Sequence, residues 1–334
     1  MALPPELRPE ADVTPRLVDS SEGRLWKEEG TVTNEDGDID ETSVVVFEAQ
    51  RPRLLGICYR ILGSVADSED VVQEAWFRWD RTDQDTVERP EAFLTTVVTR
   101  LALDRLRKVK AQREVYTGPW LPEPVVADAD ADPAAAVELA NSLSMALLVV
   151  LETLSPLERA AFVLREVFQR PYDEVADTLG RTEPAVRQLV HRARERVDAG
   201  HTRFEVDRRT HEQVVRRFMA AVQSADVASL MEMLAPDVVI VSDGGGVAQA
   251  PLRPVHGRDK VARLLAGISR RTVEGIQFSF EVFNGTLGIV ARVDDVAVSV
   301  LAFSVDEGSI QSLQLLANPA KLGRFDLGRG VAIR

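Results

Sequence analysis

Apolar positions in this chain follow two periods, and the change from one to the other divides it. From Val44 to Arg113 the spacing is helical: Phe47, Leu54, Leu55, Cys58, Tyr59 and Leu62 share a face, and Gly63 ends that helix. A second helix opens on Ala66-Asp67-Ser68-Glu69-Asp70, whose acids suit the positive end of a helix. It continues VVQEAWFRW with Val71, Ala75, Trp76 and Trp79 inward. After the polar stretch DRTDQDTVERP, a third helix, EAFLTTVVTRLALDRLRKVK, turns Phe93, Leu94, Val97, Val98, Leu101 and Leu106 inward. It leaves Arg100, Asp104, Arg105, Arg107, Lys108 and Lys110 to solvent or to a phosphate backbone.

Residues 114–136 interrupt the helical pattern. Pro119, Pro122 and Pro124 forbid a helix and favour extended backbone. A plain linker would be rich in Gly, Ser and Ala, so Trp120-Leu121-Pro122-Glu123-Pro124 predicts a docked segment. Local packing of Trp120 on the preceding helices is the other reading. Helical spacing resumes from Ala134, and 137–203 form a second helical unit. Its last part is a helix-turn-helix. Val175, Ala176 and Leu179 line a short helix, Gly180 supplies the left-handed turn, Thr182 stands at a cap position and Pro184 in the next first turn. Val186, Leu189, Val190 and Ala193 face inward. Arg181, Arg187, Gln188, His191, Arg192 and Arg194 face outward, a set suited to base edges and phosphates.

Beyond Arg203 helices give way to strands. Val214, Val215, Phe218, Met219 and Val222 mark a helix, Leu230–Leu234 part of another, and HGRDKVARLLAGISRRT a third. VVIVSDGGG, IQFSFEVF, LGIVARV, VAVSVLAFSV and SIQSLQLLA read as strands joined by Gly- and Asp-bearing turns. Helices against a curved antiparallel sheet make an α+β cone over 210–331. The fold class is therefore multidomain: two all-α units followed by an α+β unit.

Composition narrows the function. The 334 residues are 45% hydrophobic and 28% charged, with a net charge of −13. A general nucleic-acid coat protein is excluded, whereas a local DNA reader is not. The stretches 100–113 and 181–203 are basic, while 1–43 read as an acidic, disordered tail. NEDGDIDE at 34–41 lacks the frame of a calcium loop. One cysteine, Cys58, excludes a disulfide framework within the chain, and four histidines offer no metal-ligand spacing. No cofactor or metal is expected. No apolar run reaches membrane-span length and no signal peptide is recognisable, so the chain is expected in the cytoplasm, away from membranes.

Two stretches together are specific. RPRLLGICYRILGSVADSEDVVQEAWFRW followed by RPEAFLTTVVTRLALDRLR resembles region 2 of extracytoplasmic-function sigma factors. LETLSPLERAAFVLREVFQRPYDEVADTLG with the helix-turn-helix resembles their region 4. The C-terminal unit is similar to the SnoaL-like fold. Sigma factors with a WLPEP linker and such a domain carry DGGGK and NPDKL motifs; here these are DGGGV at Asp243–Val247 and NPAKL at Asn318–Leu322.

The resemblance implies roles. Asp67, Asp70, Gln73 and Glu74 would dock on the β′ clamp helices of core RNA polymerase. Arg81, Thr82, Arg100, Asp104 and Arg107 would melt and hold the −10 element. Arg181, Thr182, Arg187, Gln188, His191, Arg192 and Arg194 would read the −35 element, with region 4 touching the β flap. Trp120, Leu121, Pro122, Glu123 and Pro124 would meet Asp243, Gly244, Gly245, Gly246, Asn318, Pro319, Lys321 and Leu322 across a regulatory interface, and the cone admits an unidentified small ligand. Two other readings remain: a stand-alone helix-turn-helix regulator with a ligand-sensing domain, and a SnoaL-like enzyme using Asp243 with His256.

Overall fold

The computed structural model describes residues 41–126, 144–200, 207–270, 275–325 and 331–332. Residues 1–40, which hold most of the acidic tail and of the 34–41 stretch, and the linker from 127 onward lie outside them, while Glu41, Thr42 and Ser43 begin the first helix.

Three helices form the first unit: α1 (Glu41–Leu62), α2 (Val65–Asp80) and α3 (Pro90–Arg113). Ser64 caps α2 by accepting the Asp67 amide, and Pro90 sits in the first turn of α3, where its missing N–H is not needed. Four helices form the second: α4 (Met145–Glu152), α5 (Pro156–Phe162), α6 (Tyr172–Leu179) and α7 (Glu183–Gly200). A capping box between Ser155 and Glu158 starts α5, which runs on into a π-helical turn over Val163–Val167. Gly180 ends α6 at φ +61°, making the tight turn into α7. The apolar residues named from their spacing, Val186, Leu189, Val190 and Ala193, are buried under α7.

The third unit packs α8 (Arg208–Gln223), α9 (Val227–Met233) and α10 (Arg258–Arg270) on a sheet. Its strands are β1 (Leu234–Asp243), β2 (Val255–His256), β3 (Ile276–Phe283), β4 (Thr286–Val293), β5 (Val296–Asp306), β6 (Ser309–Leu316) and β7 (Val331–Ala332). Their order is β2-β1-β6-β5-β4-β3-β7. The expectation of a purely antiparallel sheet is corrected: β1 runs parallel to β6, with Val239 opposite Ser312 and Asp243 opposite Leu316. The chain between them is long enough to cross over and return in the same direction, which a hairpin cannot do.

Both faces of this sheet are covered. The inner face packs Val238, Ile240, Ile289, Phe303 and Leu313 against Val214, Phe218 and Val261 of the helices. Phe218 meets Phe303 edge-on at 5.0 Å. The outer face gives Phe283, Val290, Val300, Ala302 and Leu316 to the same apolar core as α1–α7. Double burial explains the near-continuous apolar runs of β4 and β5.

Candidate functional site

All seven residues expected to read the −35 element are exposed on the helix-turn-helix. Their arginines are nevertheless held. Arg187 pairs with Glu183 one turn earlier and stacks over the Tyr172 ring at 4.1 Å. Arg194 reaches Glu166 at 2.8 Å, and Arg192 donates Nε to Glu158 at 3.0 Å. Arg181 bonds the Gly180 carbonyl, and His191 lies 3.6 Å from Glu195. Thr182 and Gln188 are exposed. The pairs with Glu183 and Glu195 are solvent-facing and weak individually, whereas Glu158 is buried.

In the first unit, Asp67 is held by Arg105 through Nε (2.8 Å) and Nη2 (2.5 Å), and Asp70 lies 3.6 Å from the same guanidinium. The Arg105 pKa is raised by its hydrogen bond to Asp67. Glu74 pairs with Arg78, and Gln73 is exposed beside it. Arg81 is exposed, Thr82 bonds the Arg78 carbonyl, and Arg107 pairs with Asp104.

Two residues depart from the outward set. Arg100 donates to the carbonyls of Asp177 and Thr178, each at 3.0 Å, at the end of α6. Lys110 donates to the Leu154 carbonyl at 2.6 Å, and burial lowers its pKa. The cause is tertiary: α3 packs against α6, so a side chain that faces outward from the first unit meets the second. The carbonyls that a helix leaves unpaired at its C-terminus attract a guanidinium. Thr96 and Thr178 hydroxyls meet at 3.1 Å, and Arg89–Glu174 and Arg170–Glu91 pairs, each at 2.8 Å, flank the contact. Beside it, Arg100, Asp104, Arg107, Gly180 and Arg181 line an open cleft of about 280 Å³.

The linker meets the third unit around a buried carboxylate. Asp243, fully buried at the end of β1, accepts from the Tyr116 hydroxyl at 2.6 Å, the Leu121 amide at 2.9 Å, the Gly245 amide at 3.0 Å and Lys321 Nζ at 2.7 Å. Lys321 also donates to the Leu121 carbonyl. Its pKa is pulled down to about 8 by burial, against the opposing pull of Asp243. The Tyr116 pKa is raised, chiefly by burial and then by its bond to Asp243. Asn318 donates to the Tyr116 hydroxyl at 2.8 Å and packs on Gly245, whose φ of +64° and lack of Cβ leave room for it. Trp120 lies between Arg113, 3.2 Å from a ring centroid, and Lys321 at 4.0 Å. Arg113 in turn pairs with Glu152 of α4, joining all three units in one network.

WLPEP continues this seam. Leu121 and Pro122 are buried. Glu123 accepts the Val65 amide at 2.8 Å at the start of α2, and its own amide donates to the Gly63 carbonyl at 2.8 Å. Pro124 is buried, and Val125 exchanges two hydrogen bonds with Asn284, one to the side-chain oxygen and one from the backbone amide, each at 2.9 Å. Trp120 thus has both the local and the cross-domain partners weighed from the sequence. Pro319 opens a short 3-10 turn, Leu322 joins the outer-face core, and Gly246 packs on Thr117. Gly244 approaches the Ala248 carbonyl within the turn itself rather than the linker. Val247 and Ala320, which stand where the motifs have Lys and Asp, are both exposed.

The structure does not bring Asp243 and His256 together as a catalytic pair. His256 is exposed on β2 opposite Val239, four residues before Asp243. Val238 and Ile240 face the interior of the cone, so by alternation Asp243 points to the opposite face. Sequence reasoning also missed Tyr116, Asn284 and Tyr59, whose hydroxyl donates to the Glu123 carbonyl at 2.7 Å. Gly285-Thr286 read only as a turn, and nothing there signalled that Asn284 beside it has a partner 159 residues away. Among the described residues, no group of three metal-ligating side chains occurs and no helix is long and apolar enough to cross a membrane.

Comparison with known proteins agrees with this architecture. Family profiles match Sigma-70 region 2 at residues 46–112, Sigma-70 region 4 at 144–197 and a SnoaL-like domain at 215–309. The chain is 44% identical over 286 residues to the ECF RNA polymerase sigma factor SigJ of Mycobacterium tuberculosis, covering 82% of this chain and 91% of that one. It is 31% identical over 294 residues to the probable ECF sigma factor SigI of the same species, covering 85% and 97%. The crystal structure of M. tuberculosis SigJ superposes with a TM-score of 0.69 at 42% identity, over 83% of this chain and 97% of that chain. Two sigma regions in order, a docked linker and a SnoaL-like third unit place this chain in the extracytoplasmic-function family of RNA polymerase sigma factors.

Proposed function

We propose that the chain directs core RNA polymerase to promoters by reading a −35 element with α7 and a −10 element with α3. On this reading α2 docks on the β′ clamp helices through Asp67, Asp70, Gln73 and Glu74, and region 4 touches the β flap. The protein works in the cytoplasm with polymerase, which performs the phosphoryl transfer. The observation that carries the reading is the exposed reader face of α7, whose arginines are oriented by Glu183 one turn away and by Glu158 and Glu166 of α5 and the π-helical turn that continues it. The third unit acts in cis through the linker, a reading supported by the grip of Asp243 and Lys321 on the Leu121 backbone. A small ligand of the cone has less support, since aromatic and aliphatic side chains pack its interior.

The test is transcription from a random-sequence promoter library by core polymerase with the full-length chain. Enrichment of two separated sequence elements, with the upstream one altered by Gln188→Ala, is the expected result. No enrichment above core polymerase alone would show that the chain is not a promoter-reading subunit.

A further inference from the structure

One buried acid in the second unit is not explained by capping alone. Glu158 stands in the first turn of α5, and its side chain is only 5% exposed. A capping box needs one carboxylate oxygen, and Oε2 fills that role by accepting the Ser155 amide at 3.0 Å. Glu158 does more. Oε1 accepts Nε of Arg192 at 3.0 Å, and Oε2 also accepts Nη1 of Arg196. Serine and arginine hydrogen bonds outweigh its desolvation and hold the pKa down to about 2, so the acid is charged at any working pH.

Arg192 and Arg196 are one turn apart on α7, and each side chain is about half exposed, at 50% and 49%. Arg192 is bound to Glu158 through Nε, so its two terminal nitrogens are not needed for that bond, and half of the side chain is exposed. Two guanidinium groups on one carboxylate also keep a net charge of +1 at the surface. Free arginine side chains lose rotamer entropy when they clamp a phosphate, and a buried acid that fixes them beforehand removes part of that loss.

We propose that Glu158 is a positioning residue that sets Arg192 and Arg196 as a clamp on the phosphate backbone of the −35 duplex. Arg196 is thereby a DNA-contacting residue that the outward arginine pattern of α7 had not included. Arg192 moves from base reading to backbone contact. Phosphate contacts fix register and orientation, while Arg187 and Gln188 remain to read bases. This inference rests on the −35 reading of α7 proposed above.

The experiment measures binding of the full-length chain with core polymerase to a promoter duplex recovered from the random library, between about 50 and 200 mM salt. Arg196→Ala should lower the slope of log affinity against log salt by about 1 and leave the −35 base preference unchanged. Glu158→Gln discriminates by sign. Removing a negative charge near DNA should strengthen binding if Glu158 is only a neighbour or a cap; if it positions the arginines, binding should weaken several-fold and Glu158→Asp should recover part of it. An unchanged slope in Arg196→Ala, or tighter binding by folded Glu158→Gln, overturns the proposal. If those results come with a normal shift in −35 preference for Gln188→Ala, the reading of α7 stands and only the clamp fails. Loss of promoter selectivity by the wild-type chain would bring down both.

Discussion

At the scale of single residues, the proposed function gives α7 two kinds of contact. Arg187→Ala or Gln188→Ala should cost roughly 1–3 kcal/mol of discrimination at one −35 position if either makes a bidentate base contact. Affinity for a panel of single-base variants of the promoter duplex measures this, and a uniform loss across the panel contradicts base reading. The outward positions of α7 were legible because helical spacing separates them from Val186, Leu189 and Val190. The partners of its arginines were not, since Glu158 and Glu166 lie far back in the chain. Lys321 supplies a pH dependence. Its docked pKa, about 8, lies below the ordinary lysine value, so between about pH 8 and 10.5 the undocked chain binds more protons. Docking of the third unit should therefore strengthen as pH rises through that window and stay flat below it. Its charged surroundings are Asp243, Arg113 and Glu152, and the raised pKa of Tyr116 opposes the gain above about pH 10. Lys321→Arg, always charged, should abolish the rise. Thermal unfolding of the two proteins from pH 7 to 10 would show it, and parallel curves would refute it.

At the scale of elements, the linker is built as an interface strand rather than a tether. Its backbone is bonded on one side to Gly63 and on the other to Asp243, Lys321 and Asn284. Asp243→Ala leaves Lys321 buried without its carboxylate, and breaking such a pair costs roughly 3–5 kcal/mol. Stability to urea should fall by about that amount, whereas a loss under 1 kcal/mol would mean that Asp243 is peripheral to the seam. The prolines and the out-of-place tryptophan made this segment conspicuous in the sequence. Its counterpart was visible only as two motifs, because Asn284 there, like Tyr116 on the linker, is an ordinary polar residue until the fold joins them. The sheet carried a signal that was read too simply. LGIVARV and VAVSVLAFSV do not alternate, and that lack of alternation records a second buried face.

At the scale of the whole molecule, α3 and α6 are packed face to face, with Arg100 capping α6. Duplex DNA rises about 3.4 Å per base pair, so promoter elements more than a helical turn apart cannot both be read from helices in contact. On the proposed function, the chain would have to open on polymerase. Thr96 and Thr178, whose hydroxyls meet at 3.1 Å, provide the test. With both changed to cysteine, the oxidised protein should fail to support transcription and recover on reduction; full activity when oxidised would mean that the contact survives in the working complex. Domain order was legible from the change of period, but the closed packing was not, because it depends on which outward faces meet. The tether being short, even a weak seam is populated at high effective concentration. The central claim is that the third unit acts on promoter use through the linker. Promoter-specific transcription by core polymerase tests it most directly, comparing the full chain, a chain ending at Thr202, and each of these with Trp120→Ala. The account predicts that truncation and Trp120→Ala shift the transcript yield in the same direction, and that Trp120→Ala adds little once the third unit is gone. An equal effect of Trp120→Ala in both chains, or a truncated chain indistinguishable from the full one, would contradict it.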